Sequence, residues 1–126
     1  MAWKKYQPNP TGRNVGDCAV RAVSAALGVD WETAYLLISA AGYQMGDVIS
    51  SNAVWGAVLR QNGFYRFNLP ETCPDCYTFA DFARDNPHGV FVVGTGSHVA
   101  TIIDGNILDA WDSSKEPVAF VWYKKG

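Results

Sequence analysis

His98-Val99-Ala100-Thr101-Ile102-Ile103-Asp104-Gly105-Asn106-Ile107-Leu108-Asp109-Ala110-Trp111 decides how the C-terminal half of this chain folds. Two apolar, β-rich runs flank Asp-Gly, a dipeptide that accepts the positive φ angles of a two-residue hairpin turn. With Asp104 and Gly105 as the turn, Ile103 faces Asn106, Ala100 faces Asp109 and His98 faces Trp111. Side chains alternate between the faces of a strand, so His98, Ala100, Asp109 and Trp111 share one face. Asp109 then lies diagonally across from His98, within reach of its ring. On this register Asp112 falls on the opposite face unless a bulge intervenes. Val90-Phe91-Val92-Val93 before the hairpin and Val118–Tyr123 after it read as further strands.

The N-terminal half has the helical period instead. In Asp17-Cys18-Ala19-Val20-Arg21-Ala22-Val23-Ser24-Ala25-Ala26-Leu27-Gly28, Ala19, Ala22, Val23, Ala26 and Leu27 form an apolar stripe. Asp17 suits the N-cap and Gly28 the left-handed stop. A second helix is expected over about Trp31–Ala41, capped by Asp30 and stopped at Gly42. A third runs over about Ala53–Gln61, capped by Ser51 or Asn52 and stopped at Gly63. Thr78-Phe79-Ala80-Asp81 reads as a capping box that opens a short fourth helix, ending near Arg84. Residues 1–16, rich in Pro, Asn and Gly, read as an extended or turning lead-in. Helices followed by antiparallel strands make an α+β layout, and 126 residues suit one domain over 1–126.

Composition narrows the function. Hydrophobic residues are 48% and charged residues 17%, the balance of a folded domain rather than a disordered one. The net charge of -2, with scattered Lys and Arg, gives no electrostatic pull toward nucleic acid or an anionic membrane. No apolar run approaches the roughly 18 residues of a membrane span. The first residues turn polar at Gln7-Pro8-Asn9-Pro10 without the apolar core of a signal peptide, so a cytoplasmic location is expected. Three cysteines cannot all pair with one another, so at least one thiol stays free.

Cys18 is the thiol best placed for chemistry. A helix N-terminus carries partial positive charge and unpaired N–H groups. That setting favours thiolate over thiol and offers donors to an oxyanion. His98 follows the glycine-rich Gly94-Thr95-Gly96-Ser97, and Asp109 on the return strand can accept its ring N–H and fix the tautomer. Trp111 can shield that bond. Each residue has a plainer reading: a buried structural thiol, a surface His, a solvated Asp, a core Trp. Together they form a nucleophile, a base and an orienting acid in one working unit. Arg21, one turn after Cys18, can pair with Asp17 or Asp30. Trp55, Phe64, Tyr65 and Phe67 are candidates either for a substrate groove or for the core.

The order Cys, His, acid, with helix before sheet, resembles the papain-like cysteine peptidases. Asp109-Ala110-Trp111 resembles the Asn-Ser-Trp of that family, and Gly16-Asp17-Cys18 is similar to the Asp-Cys of the leader-peptidase domains of bacteriocin exporters. Over nearly the whole chain the sequence resembles small papain-like proteins of bacteria and their phages, named cysteine peptidases by similarity. The matching segments are Gly16-Asp17-Cys18-Ala19-Val20-Arg21-Ala22, Thr78-Phe79-Ala80-Asp81-Phe82, Asn86-Pro87-His88-Gly89, Ile103-Asp104-Gly105 and Asp109-Ala110-Trp111-Asp112.

The resemblance implies a papain-like fold, with Cys18 as nucleophile, His98 as base then acid, and Asp109 as orienting group. It implies a peptide or protein substrate, with no cofactor and no metal, in a bacterial cytoplasm or, for a phage product, inside the host. One departure concerns the oxyanion hole. The family places a Gln six residues before the nucleophile, and here that position is Gly12. Asn14 and Asn9 are the candidate replacements from the same lead-in, with Gln7 behind them.

Three rival readings stay open at this point. The same triad serves an amidase, a deamidase or a transglutaminase-like acyl transferase. The domain can also be a catalytically weak binding module of phage origin. Cys73-Pro74-Asp75-Cys76, with His88 as the other soft ligand nearby, raises a structural zinc site, a redox pair or two incidental thiols.

Overall fold

In a computed structural model, which describes residues 3–13, 15–70 and 72–124, the chain is an α+β fold. The order is β1 (Trp3–Lys5), α1 (Cys18–Leu27), α2 (Trp31–Met45), α3 (Asn52–Gln61), β2 (Phe64–Asn68), α4 (Phe79–Asp85), β3 (Val90–Gly94), β4 (Val99–Ile103), β5 (Asn106–Asp109) and β6 (Phe120–Lys124). The strands form one sheet in the order β1-β5-β4-β3-β6-β2. None of the described helices is long and apolar enough to cross a membrane.

The hairpin register matches the expected one. Ile103 faces Asn106, Ile102 faces Ile107 and Thr101 faces Leu108. Asp104 and Gly105 take φ of 49° and 78°, the left-handed values that a tight hairpin turn needs. Asp104 also closes the turn onto its neighbour: its Oδ1 accepts from the Gly89 N–H at 2.9 Å, and its own N–H donates to the Gly89 carbonyl.

The sheet is mixed rather than purely antiparallel, because β1 runs parallel to β5. Three residues in a proline-rich lead-in carry too little pattern to announce a strand. Their place comes from long-range bonds: the Trp3 indole and the Tyr6 N–H both donate to the Asp109 carbonyl. The β2 strand sits at the opposite edge, antiparallel to β6. Its Phe64 is buried, and Tyr65 through Asn68 are exposed at the open edge.

Helices α1, α2 and α3 cover one sheet face, with a core of Val23, Ile38, Trp55, Leu59, Phe64 and Trp122 among others. Helix α4 contributes Phe79 and Phe82 to the second core, with Val93, Ile102, Ile107 and Val121. Its capping box forms as expected, Thr78 Oγ1 accepting from the Asp81 N–H and the Asp81 carboxylate from the Thr78 N–H.

The end of α2 and the cap of α1 differ from the sequence expectation. Helix α2 passes through Gly42 and stops at Gly46, which is left-handed at φ 68°. A Cβ at Gly42 would lie 3.0 Å from the Asp47 carbonyl oxygen and 3.5 Å from Val54. Gly42 is thus a packing glycine, not a stop. Asp17 precedes α1 but makes no capping bond, because its carboxylate is drawn to Arg21 and Trp31.

Candidate active site

Cys18 opens α1 and is the free cysteine among the described residues. It is half-buried and shares a cleft of about 260 Å³ with Asn52, Trp55, Ser97, His98 and Val99. The turn from Thr95 to His98, closed by the Thr95 N–H on the His98 carbonyl at 2.8 Å, delivers the imidazole to this cleft. His98 Nε2 lies 2.6 Å from Asp109 Oδ2. The cysteine, histidine and acid singled out in the sequence therefore converge from α1, the β3–β4 turn and β5.

The electrostatics favour an ion pair. Burial pushes the Cys18 thiol up, but it is outweighed by the hydrogen bond to His98, the Val99 N–H and the charges of His98 and Arg21, so its pKa falls below the ordinary value. Burial pulls His98 down, yet its hydrogen bonds and charge interactions with Asp109 and Cys18 raise it to about 9. Each group holds the other in its charged form. Since Nε2 faces Asp109, the nitrogen left for Cys18 is Nδ1.

Asp109 is the most enclosed member, at 1% exposure. Burial alone raises a carboxyl pKa. Here bonds from His98, Ser113 Oγ at 2.6 Å and the Ala110 N–H at 2.8 Å reverse that, and Asp109 is held below the usual carboxylate range. Arg21 Nη2 adds a contact to Asp109 Oδ1 at 3.2 Å. The other arm of Arg21 pairs with Asp17, whose second oxygen accepts the Trp31 indole N–H at 2.9 Å. Arg21 thus ties the helix that bears Cys18 to the strand that bears Asp109. The sequence offered Asp17 or Asp30 as its partner: Asp17 is one, whereas Asp30 caps α2 through the Thr33 N–H.

Trp111 stacks beside His98, with ring centroids 4.6 Å apart, and keeps 45% exposure. It covers one side of the imidazole. Ala100, expected on the same face as His98 and Asp109, enters the α4-side core instead. His98 and Asp109 lie beyond the last β4–β5 ladder pair, Thr101–Leu108, where strict alternation lapses. Asp112 stays outside the site, exposed, and accepts from the Ser114 N–H.

Comparison of the chain with protein-family models, with curated proteins and with solved structures gives no match. The site has to be read from its own geometry.

Of the two candidate oxyanion donors, the one described, Asn9, does not join it. Asn14 lies outside the described residues. Asn9 is buried, and its Oδ1 accepts from the Thr11 N–H and hydroxyl at 3.0 and 2.8 Å. It borders a different hollow, with Arg13, Val15 and Trp31. Cys73 and Cys76 form a disulfide, so neither thiol is available as a zinc ligand. Their loop borders a second hollow of about 240 Å³, with Leu69, Tyr77 and Val118. Thr95 and Gly96 line both this hollow and the Cys18 cleft.

Sequence reasoning missed Ser113 and the reach of Arg21 to Asp109. Ser113 follows the strand by four residues, and only the fold back over Asp109 reveals it. Arg21 lies three residues after Cys18 on a helix, so its neighbourhood to the site was legible but its second partner was not.

Proposed function

We propose that this chain is a papain-like cysteine peptidase that hydrolyses a peptide or isopeptide bond through Cys18, His98 and Asp109. The observation that carries the reading is the convergence of Cys18, at a helix N-terminus, with a His98 bonded to Asp109 at one open cleft.

The chemistry follows from the charges. The Cys18 thiolate attacks the carbonyl carbon, an S–C bond forms, and the π pair moves to oxygen. As the carbonyl re-forms, the C–N bond breaks and the imidazolium delivers its proton to the leaving amine. Neutral His98 next takes a proton from water, whose oxygen attacks the thioester. Collapse releases the carboxylic acid and returns the thiolate–imidazolium pair. Asp109 fixes the ring and stabilises its positive form throughout. The open cleft beside Cys18 suits a chain segment passing across it.

Alkylation of Cys18 by iodoacetamide between about pH 4 and 9, with peptide mapping, tests the pair. We expect Cys18 to react well below the pH of an ordinary thiol, and His98→Ala to remove that advantage. Digestion of a peptide library, read by mass spectrometry against Cys18→Ala, then reports amide cleavage. An ordinary thiol profile for Cys18 overturns the reading.

A further inference from the structure

We propose that Asn52, at the start of α3, is the side-chain donor of the oxyanion hole, an assignment that rests on the acyl-transfer reading above. A tetrahedral intermediate on Cys18 puts negative charge on the former carbonyl oxygen, and a thiol site needs donors aimed there. One is the Cys18 N–H, in the first turn of α1, where backbone donors lack helical partners. Among the described residues of the lead-in, no side-chain donor lines the cleft: position 12 is glycine, and the Asn9 side chain is engaged with Thr11 beside a different hollow.

Asn52 does line the Cys18 cleft, and its amide orientation is fixed. Its Oδ1 accepts the indole N–H of Trp55 at 3.0 Å. An indole nitrogen only donates, so the amide atom facing it has to be the oxygen. That leaves Nδ2, with two hydrogens, as the free end, and no described residue accepts from it. The anchor is rigid. Trp55 is 1% exposed and packs against Phe120 and Trp122, with ring centroids 6.3 Å away in each case. Ser51 caps the helix that begins at Asn52. A fixed acceptor end and an open donor end in the Cys18 cleft suit Asn52 to donate to an oxyanion formed there.

In the acylation step, Sγ bonds to carbon and the π pair becomes an oxygen lone pair. That oxygen accepts from the Cys18 N–H and from Asn52 Nδ2. The donors let go as the C=O re-forms and the leaving group departs.

Two thiol reactions separate this role from others. Acylation by p-nitrophenyl acetate passes through an oxyanion, whereas alkylation by iodoacetamide is a direct displacement without one. Both are measured at Cys18 in the wild type, in Asn52→Ala and in Asn52→Asp, which keeps the acceptor for Trp55 but loses the donor. We expect both variants to lose roughly tenfold or more in acylation at equal thiolate fraction, less than the hundredfold or greater losses seen for full turnover when a donor is removed. Alkylation should stay within about twofold at equal thiolate fraction. If acylation is unchanged, or if acylation and alkylation fall together, Asn52 is not the donor, although the triad reading survives. A wild-type Cys18 with an ordinary thiol profile overturns the triad and this assignment with it.

Discussion

Two arginine–aspartate clusters in this chain use the same residue types at helical spacing, and their surroundings give them different jobs. Arg21 pairs with Asp17 four residues before it and with Asp109 across the fold, and all three side chains are at most 6% exposed. Arg84 pairs with Asp81 three residues before it and with its neighbour Asp85, while its own side chain is 67% exposed. In water an ion pair is screened and its long side chains lose freedom to make it. In the interior each charge has already lost its hydration, so each depends on its partner. The first cluster therefore holds Asp109 in place, and the second decorates a helix whose stability comes from Phe79 and Phe82.

The sharpest break in that comparison is Arg21→Ala. It leaves Asp17 and Asp109 buried without their cation, and losing one partner of a buried pair costs roughly 3–5 kcal/mol. Urea unfolding of the variant should show that loss. The buried Asp109 then ionises less readily, and the low-pH reactivity of Cys18 should fall as well. Retention of wild-type stability would mean that the cluster is hydrated rather than buried.

Asp109→Asn tests the same cluster at its functional end. The amide keeps the shape but removes the charge that, with the His98 bond, holds the imidazolium. His98 should drop from about 9 toward its ordinary value, and Cys18 should rise. Each unit of rise removes about tenfold of the thiolate at acidic pH. Iodoacetamide reactivity at pH 6 should fall by that factor or more, with unchanged reactivity counting against the relay.

The pH dependence of stability has a definite sign. The folded-state pKa of His98 is raised, so its contribution is complete below about 6.5, the ordinary histidine value, and is lost as pH climbs through about 9. Asp109 is lowered, so its contribution is present above the ordinary carboxylate range and is lost as pH falls through its depressed folded value. The stability gap between wild type and His98→Ala should thus shrink between pH 6.5 and 9.5 in urea titrations. A gap that widens over this range contradicts the ion pair.

Much of this arrangement was legible before any coordinates. The Asp104-Gly105 turn set the hairpin register and put Asp109 near His98 along the strands, although the face the two share is not the one that Ala100 takes. The alanine-rich stripe after Asp17 placed Cys18 on a helix end. What stayed hidden depends on contacts between distant segments. Strand β1 exists because β5 offers it a parallel edge. Strand β2 was also missed, because Phe64, Tyr65 and Phe67 fit a groove or a core equally well and do not alternate. Gly42 and Gly46 are both plausible stops, and only the approach of Asp47 and Val54 tells which one packs. Asn52 was weighed as a helix cap, and its place in the cleft follows from the packing of α3 against β6 rather than from local pattern.

Thr78→Ala probes α4 without touching its ion pairs. Thr78 supplies half of the capping box, and losing an N-cap hydroxyl typically costs about 1 kcal/mol. Urea unfolding should register that loss while Cys18 reactivity stays unchanged, since α4 packs on the sheet face opposite α1. A coupled loss of reactivity would show that the two faces communicate through β4 and β5.

Arg84→Ala completes the contrast with the smallest effect. The guanidinium touches Asp81 and Asp85, yet both carboxylates keep other partners. Asp81 is tied into the capping box, and Asp85 accepts the Tyr77 hydroxyl at 2.7 Å. Tyr77 is pushed up to about 12 by burial and by that bond to Asp85, so its hydroxyl stays protonated and donating across the working range. Neither carboxylate is stranded when Arg84 goes, and water reaches both. The urea midpoint should not move measurably at physiological salt. If it falls as far as it does for Arg21→Ala, burial is not what separates the two clusters.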